Sequence, residues 1–156
     1  MSTEDTERSV TVCVLLVDQD KIFLVKNLKD SKTIPGKEPF IKPEGWGMLR
    51  GRRELQDEDD VATGQREAEE ESGYSVIEVD SRYGVTESMP DHDIVAFIGY
   101  PVSGTLKPDT KEIIEARWFS PRVLWAEFGR VKDNIDMHPR QRRMAQKLWQ
   151  KFKGGS

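Results

Sequence analysis

The sequence has very few residues of the kinds that often announce a site. A single cysteine, Cys13, excludes an intramolecular disulfide. Its place inside an apolar run reads as a small buried hydrophobe. The two histidines, His92 and His138, are isolated, without zinc-ligand spacing, and suit capping or solvent roles better than ligation. No serine or cysteine nucleophile with a histidine partner is legible. No apolar run approaches the ~20 residues of a membrane span, so no membrane partner is expected. The opening "MSTEDTERSV" is polar and lacks the apolar core of a signal peptide. A cytoplasmic location is the expectation. A third of the residues are charged, yet the net charge is only −4, so bulk electrostatics favour neither nucleic acid nor membrane. There is no internal repeat and no low-complexity linker.

What is present fits one domain with a sizeable core, since the chain has 156 residues. Residues 1–9 and the closing "GGS" (154–156) are expected to be flexible ends of a domain spanning 10–153. "VTVCVLLV" (10–17) and "IFLVKN" (22–27) read as a hairpin across "DQDK". Residues 28–45 carry three prolines and two glycines and read as a long, functional loop. A helix is expected from about Asp59 to Ser72, ending at Gly73. "YSVIEVDSRYGVTES" and "DIVAFIGYPVSG" read as strands joined by "MPDH", and "EARWFS" as a further short strand. "PRVLWAEF" reads as a short helix opened by Pro121. "HPRQRRMAQKLWQKF" reads as a longer one, with Met144, Leu148 and Phe152 forming an apolar stripe. The order predicts an α/β fold, a mixed sheet with helices on both faces.

The stretch "REAEEESGY" places four glutamates in five positions. Like charges three or four apart on a helix repel by roughly 0.2–0.5 kcal/mol per pair, and no lysine follows to relieve them. At ~100° per residue, Asp60, Thr63, Glu67, Glu70 and Glu71 fall on one side of the helix, beside a small apolar side of Val61, Gly64 and Ala68. Gly64 costs ~1 kcal/mol against alanine in a helix interior, which points to a close backbone approach. Arg66 reaches Glu70 at i+4 but cannot neutralise three acids. A solvated acidic face and a Mg²⁺ site both remain open at this point; clustered hard oxygens suit Mg²⁺, which completes its shell with water and phosphate.

The same run resembles the Nudix hydrolase motif: Gly, five residues, Glu, seven residues, Arg-Glu, an aliphatic residue, any residue, Glu-Glu, any residue, Gly, an apolar residue. From Glu58 through Arg66, Glu67, Glu70, Glu71 and Gly73 to Tyr74 the sequence fits. The resemblance extends to "KIFLVKN", "WGM" and "EIIEARWFS", spanning about 10–125. It implies a Nudix-type α/β/α sandwich with a mixed central sheet. It also implies cleavage of a diphosphate linkage in a nucleoside di- or triphosphate derivative, with Mg²⁺ or Mn²⁺; a nucleoside triphosphate is the expected substrate, or an RNA 5′-triphosphate end because of the basic C-terminal helix. By resemblance Glu67, Glu70 and Glu71 hold the metal, Arg66 orients them, and Glu58 reaches Arg66. Glu112 is a further ligand or base, or a solvated loop residue.

The loop departs from the family's Pro-Gly-Gly. Here Leu49-Arg50-Gly51 occupies it, and Gly51 lies one residue too far from Glu58. Either the loop holds an extra residue or the glycine role has shifted. Gly51 or Arg50 could offer a backbone carbonyl to the metal. The Arg50 side chain either hinders that approach or adds a phosphate contact, and Arg52 and Trp46 are further substrate-binding candidates. Trp46 and Tyr83 could stack on a base, or belong to the core. The basic C-terminal helix (Arg140, Arg142, Arg143, Lys147, Lys151, Lys153) is a solvated face or a guide for RNA. The expected partners are a small nucleotide or an RNA 5′ end, with a homodimer open. The alternative is a catalytically weak nucleotide- or protein-binding module.

Overall fold

The computed structural model describes residues 9–27, 30–32, 40–42, 45–108, 113–125 and 135–154. β1 (Ser9–Asp18) and β2 (Lys21–Asn27) form the expected hairpin, with Leu16 opposite Phe23 and Asp18 opposite Lys21. Its turn places Gln19 and Asp20 at positive φ, 51° and 62°, a left-handed pair whose twist matches that of a two-residue hairpin. β3 (Asp30–Lys32) and β4 (Phe40–Lys42) pair as a separate two-stranded sheet inside the segment expected to be loop. β5 (Gly45–Gly47) and β6 (Leu49–Arg52) follow, then α1 (Asp60–Ser72), β7 (Tyr74–Ser88), β8 (His92–Gly104) and β9 (Ile113–Phe119). A 3₁₀ turn covers Pro121–Leu124, the described start of the expected "PRVLWAEF" helix, with Ser120 Oγ accepting from the Arg122 amide at 3.3 Å. α2 spans Pro139–Gly154 and so takes in Gly154, expected to belong to the tail.

The central sheet runs β5-β2-β1-β8-β7, with β6 also on β1 and β9 also on β2. β1 and β8 are parallel, in register from Ser9 opposite His92 to Leu16 opposite Gly99, and the other pairings are antiparallel. The sheet is therefore mixed. Alternation along the strands sorts side chains to two faces. Val14, Leu16, Phe23, Val25, Leu49 and Ile77 pack with Ala68 of α1. Cys13, Leu15, Ile22, Leu24 and Ile98 pack with Met144, Ala145 and Leu148 of α2. The fold is an α/β sandwich with one long helix on each face of the sheet.

α1 approaches the sheet through small residues. Gly64 and Ala68 are buried, and a Cβ on Gly64 would stand 3.0 Å from Val14 Cγ2 and 3.2 Å from Val12 Cγ1. That is the close approach the helix-interior glycine predicts. Asp59 caps the helix, accepting from the Ala62 amide at 2.8 Å. Gly73 ends it at φ 88° with its amide on Glu69 O at 3.0 Å.

Candidate active site

The end of β6 and the outer side of α1 meet across Gly51. A Cβ built on Gly51 would fall inside the Glu67 carboxylate, so only glycine leaves room for that acid against the backbone. One residue earlier, the Arg50 amide donates to Glu71 Oε1 at 3.1 Å. Glu71 is thus bonded to the Arg50 amide and Glu67 lies against the next residue of β6, Gly51. Glu70 is exposed, and Arg66 Nη1 reaches it at 3.5 Å while standing 3.1 Å from Glu67 Oε2. Glu69, the fourth acid, turns to the structure instead, accepting from the Ile77 amide at 2.9 Å.

Arg66 is itself fixed by Asp57. Nε donates to Oδ1 at 3.0 Å and Nη2 to Oδ2 at 2.8 Å, while Thr63 Oγ1 and the Glu54 amide also donate to Oδ2, at 2.9 and 2.8 Å. Such a bidentate, charge-assisted pair fixes the plane of the guanidinium as well as its position. The Arg66 guanidinium and then the Glu54 amide hold the Asp57 carboxyl well below the usual carboxylate range. Glu67 is displaced the other way: burial raises its carboxyl, and Arg66 only partly opposes that.

Glu58 does not make the contact expected of it. Its side chain is exposed, and among the described residues only its carbonyl is used, by Arg53 Nη2 at 3.3 Å. Asp57 stands in its place, and the count explains why. Five residues separate Gly51 from Asp57, and eight, not seven, then precede Arg66. The extra residue is taken up where the chain turns into the Asp59 cap. Arg52 lends its carbonyl to Arg66 Nη2 at 3.5 Å, and its side chain is exposed. Glu112 lies outside the described residues.

On the opposite face of the sheet a cavity of about 390 Å³ opens under the start of α2. Trp46, Thr11, Ile94 and Met137 help to line it, as do Arg50 and Arg140. Trp46 is buried, edge-on to Phe119 at 4.9 Å, so it is both a core residue and a wall. Arg50 pairs with Cys13 in the β1–β6 ladder. Its side chain therefore belongs to the α2 face, while its amide serves Glu71. The Arg50 side chain thus lines the cavity, on the other face of the sheet from the Gly51 seat of Glu67. Tyr83 packs edge-on against Phe152 at 5.3 Å and belongs to the α2 core.

Most of the basic helix is engaged within the fold. Arg143 pairs with Glu87 through bonds of 2.7 and 2.8 Å, Arg142 donates to the Val123 and Ile135 carbonyls, Lys151 to Gly84 O and Lys153 to Asp20. His138 caps the helix, its Nδ1 accepting from the Arg140 amide at 3.0 Å.

The family model of the NUDIX domain matches residues 6–148. The chain belongs to that family. Among curated proteins none matches it closely enough to count as a relative. Solved structures share the Nudix fold at low identity. A UDP-X diphosphatase has a TM-score of 0.64 at 15% identity, over 100% of this chain and 73% of that one. A MutT protein from Methanosarcina mazei has 0.60 at 18%, over 92% and 94%. An ADP-ribose pyrophosphatase from Streptococcus suis has 0.59 at 15%, over 96% and 92%. Membership and fold together support a Nudix hydrolase.

Nudix hydrolases generally use divalent metal ions, and the donor set here has matching chemistry. Glu67, Glu70 and Glu71 supply hard carboxylate oxygens, and Gly51 leaves room for a carboxylate to lie against the backbone. Among the described residues, however, no three His, Cys, Asp or Glu side chains stand together closely enough to hold one ion. The hydrogen bonds show what divides them: Arg66 draws Glu67 and Glu70, and the Arg50 amide draws Glu71. Among the described residues no helix is long and apolar enough to cross a membrane.

Proposed function

We propose that this chain is a divalent-metal-dependent pyrophosphohydrolase that cleaves the diphosphate linkage of a small nucleoside di- or triphosphate derivative. The observation that carries the reading is the placement of Glu67 against Gly51 and of Glu71 on the Arg50 amide, beside an Arg66 locked by Asp57. Glu67, Glu70 and Glu71 would hold Mg²⁺ or Mn²⁺, with Glu112 a further candidate. When bound, the ion would polarise phosphoryl oxygens and lower the pKa of a coordinated water. Asp57 holds the Arg66 guanidinium in one plane, and Arg66 keeps Glu67 and Glu70 pointing the same way. The apolar wall around Trp46 would receive the nucleoside side of the substrate.

Small nucleotides are favoured over RNA 5′ ends because four of the six basic side chains of α2 are spent inside the fold. Two structures of similar fold carry diphosphatase and pyrophosphatase names, which supports a nucleoside diphosphate linked to a second group. The deciding experiment is a turnover panel of nucleoside triphosphates, nucleotide sugars, dinucleotides and 5′-triphosphate RNA with Mg²⁺ and Mn²⁺. Products are scored as phosphate, pyrophosphate or nucleoside monophosphate. Release of nucleoside monophosphate from a diphosphate-linked substrate supports the proposal. Binding without turnover across the panel supports the alternative, a nucleotide-binding module. That alternative draws on the division of the three glutamates between different partners.

A further inference from the structure

We propose that Gln141 is a positioning residue for the metal seat: from the first turn of α2 it holds the corner between β5 and β6, so that the Arg50 amide stays on Glu71. This rests on the reading above, in which Glu71 is a metal ligand. It adds a residue from the face of the sheet opposite α1.

The Gln141 carboxamide is engaged at both ends. Oε1 accepts from the Met48 amide at 2.9 Å, and Nε2 lies 3.6 Å from Cys13 Sγ. Met48 is fully buried and stands between two strands, β5 ending at Gly47 and β6 starting at Leu49. A buried amide without an acceptor carries an uncompensated desolvation cost. Gln141 therefore fixes the peptide from which β6 sets out. Gly47 leaves room for that oxygen, since a Cβ there would stand 3.0 Å from Oε1 and 2.9 Å from Arg50 Nη1.

Cys13 is the residue directly opposite Arg50 in the β1–β6 ladder. Gln141 thus braces that rung twice, with its nitrogen on Cys13 and its oxygen two residues before Arg50. The same rung supplies the Arg50 amide, which donates to Glu71 Oε1 at 3.1 Å. Hydrogen bonds weaken steeply with misalignment, so a small shift at the start of β6 is enough to release Glu71. Gln141 also lines the cavity together with Trp46 and Arg50. A nucleoside seated there would meet the side chain that holds the rung.

The test compares Gln141→Met, which keeps the bulk and loses both polar atoms, with Gln141→Glu, which keeps an acceptor for Met48. Amide hydrogen exchange, followed by NMR in excess EDTA, reads the positioning without metal. In Gln141→Met the Met48 and Arg50 amides should exchange faster by about tenfold or more. The Ile77 amide, held by Glu69 at 2.9 Å, should keep its parent rate. Acceleration at Met48 alone would mark a purely local bond, and equal acceleration across the sheet a general loss of stability; either overturns the proposal. Mn²⁺ binding, read by EPR well below the Tm of each protein, should weaken by about threefold to tenfold in Gln141→Met and return towards the parent value in Gln141→Glu. An unchanged Mn²⁺ affinity in Gln141→Met overturns the link to the metal seat. Turnover lost in Gln141→Met should come back as the metal concentration is raised, which a residue acting through substrate contact alone would not show. Should the parent bind no Mn²⁺, the metal-dependent reading fails, and the exchange rate of the Arg50 amide still decides whether Gln141 positions it.

Discussion

Arg66 holds Asp57 through two parallel hydrogen bonds, Nε to Oδ1 at 3.0 Å and Nη2 to Oδ2 at 2.8 Å. The pair joins the loop before α1 to the face of α1 that carries the glutamates. The Asp57 carboxylate is 5% exposed, and its four donors leave it little freedom. The orientation of Glu67 and Glu70 therefore depends on a residue that touches neither of them.

Asp57→Asn should accordingly cost roughly 10–100-fold in activity or metal affinity, the usual effect of removing a partner that orients a ligand. Glu58→Gln should change little, because among the described residues only the Glu58 carbonyl is used. The pH dependence has a definite sign. The folded carboxyl lies below its unfolded value of about 3.9. Its contribution to stability is thus fully present above that value and is lost as pH falls through the folded pKa. The Tm difference between parent and Asp57→Asn should be constant above about pH 5 and should shrink on acidification below about pH 4. A gap that widens in acid would show that Asp57 is not held as an ionised partner.

Gly51→Ala tests the seat of Glu67. The added methyl would occupy the space of the Glu67 carboxyl group, so the acid must leave its place against β6. Turnover and divalent binding should fall sharply, while the far-UV circular dichroism stays that of the parent. If Gly51→Ala binds Mn²⁺ as the parent does, Glu67 is not a ligand from this position.

Parts of this arrangement were legible in the sequence for local reasons. The β-branched and aromatic residues between Gly73 and the Met89-Pro90 turn mark β7, and the observed strand is Tyr74–Ser88. Asp59, Gly64 and Gly73 mark the cap, the close-packed face and the end of α1. The strands β5 and β6 were not legible, because three- and four-residue elements are defined by partners far along the chain. Gly51 pairs with Val12 and Gly47 with Val25. The role of Asp57 was partly visible: five residues after Gly51 lead to it, but seven before Arg66 lead to Glu58, and only the hydrogen bonds choose between them. The cavity could not be read at all, since its lining comes from β1, β5, β6, β8 and the start of α2.

Restoring the family's Pro-Gly-Gly in the loop should not improve the enzyme. Leu49 is fully buried and pairs with Val14 inside the sheet. Proline there would remove a backbone donor and the packed side chain together, so Leu49→Pro should lower Tm markedly. Arg50→Gly alone should fold. Because the side chain lines the cavity and the amide serves Glu71, the variant should raise KM with kcat little changed. A gain in kcat would mean that the Arg50 side chain does crowd the carboxylates.

Divalent ions should stabilise the folded chain, and the size of the effect should depend on Glu71. A ligand that binds the native state and not the unfolded chain contributes about 2.7 kcal/mol at a hundredfold excess over its Kd. For a domain of this size that corresponds to a rise in Tm of roughly 5–10 °C. Glu71→Gln keeps an amide oxygen that can still accept from Arg50 N but loses a charge that sits beside Glu67 and Glu70. Without metal the variant should be as stable as the parent or slightly more so, because relieving a like-charge pair on a helix is worth roughly 0.2–0.5 kcal/mol. With Mg²⁺ or Mn²⁺ the order should reverse, since the variant gains less from the ion. The measurement is Tm for both proteins in EDTA and across a millimolar metal series. The crossing of the two curves separates a metal-binding cluster from a solvated acidic face. Parallel curves, or a parent whose Tm ignores the metal, would leave the glutamates with no role in holding it.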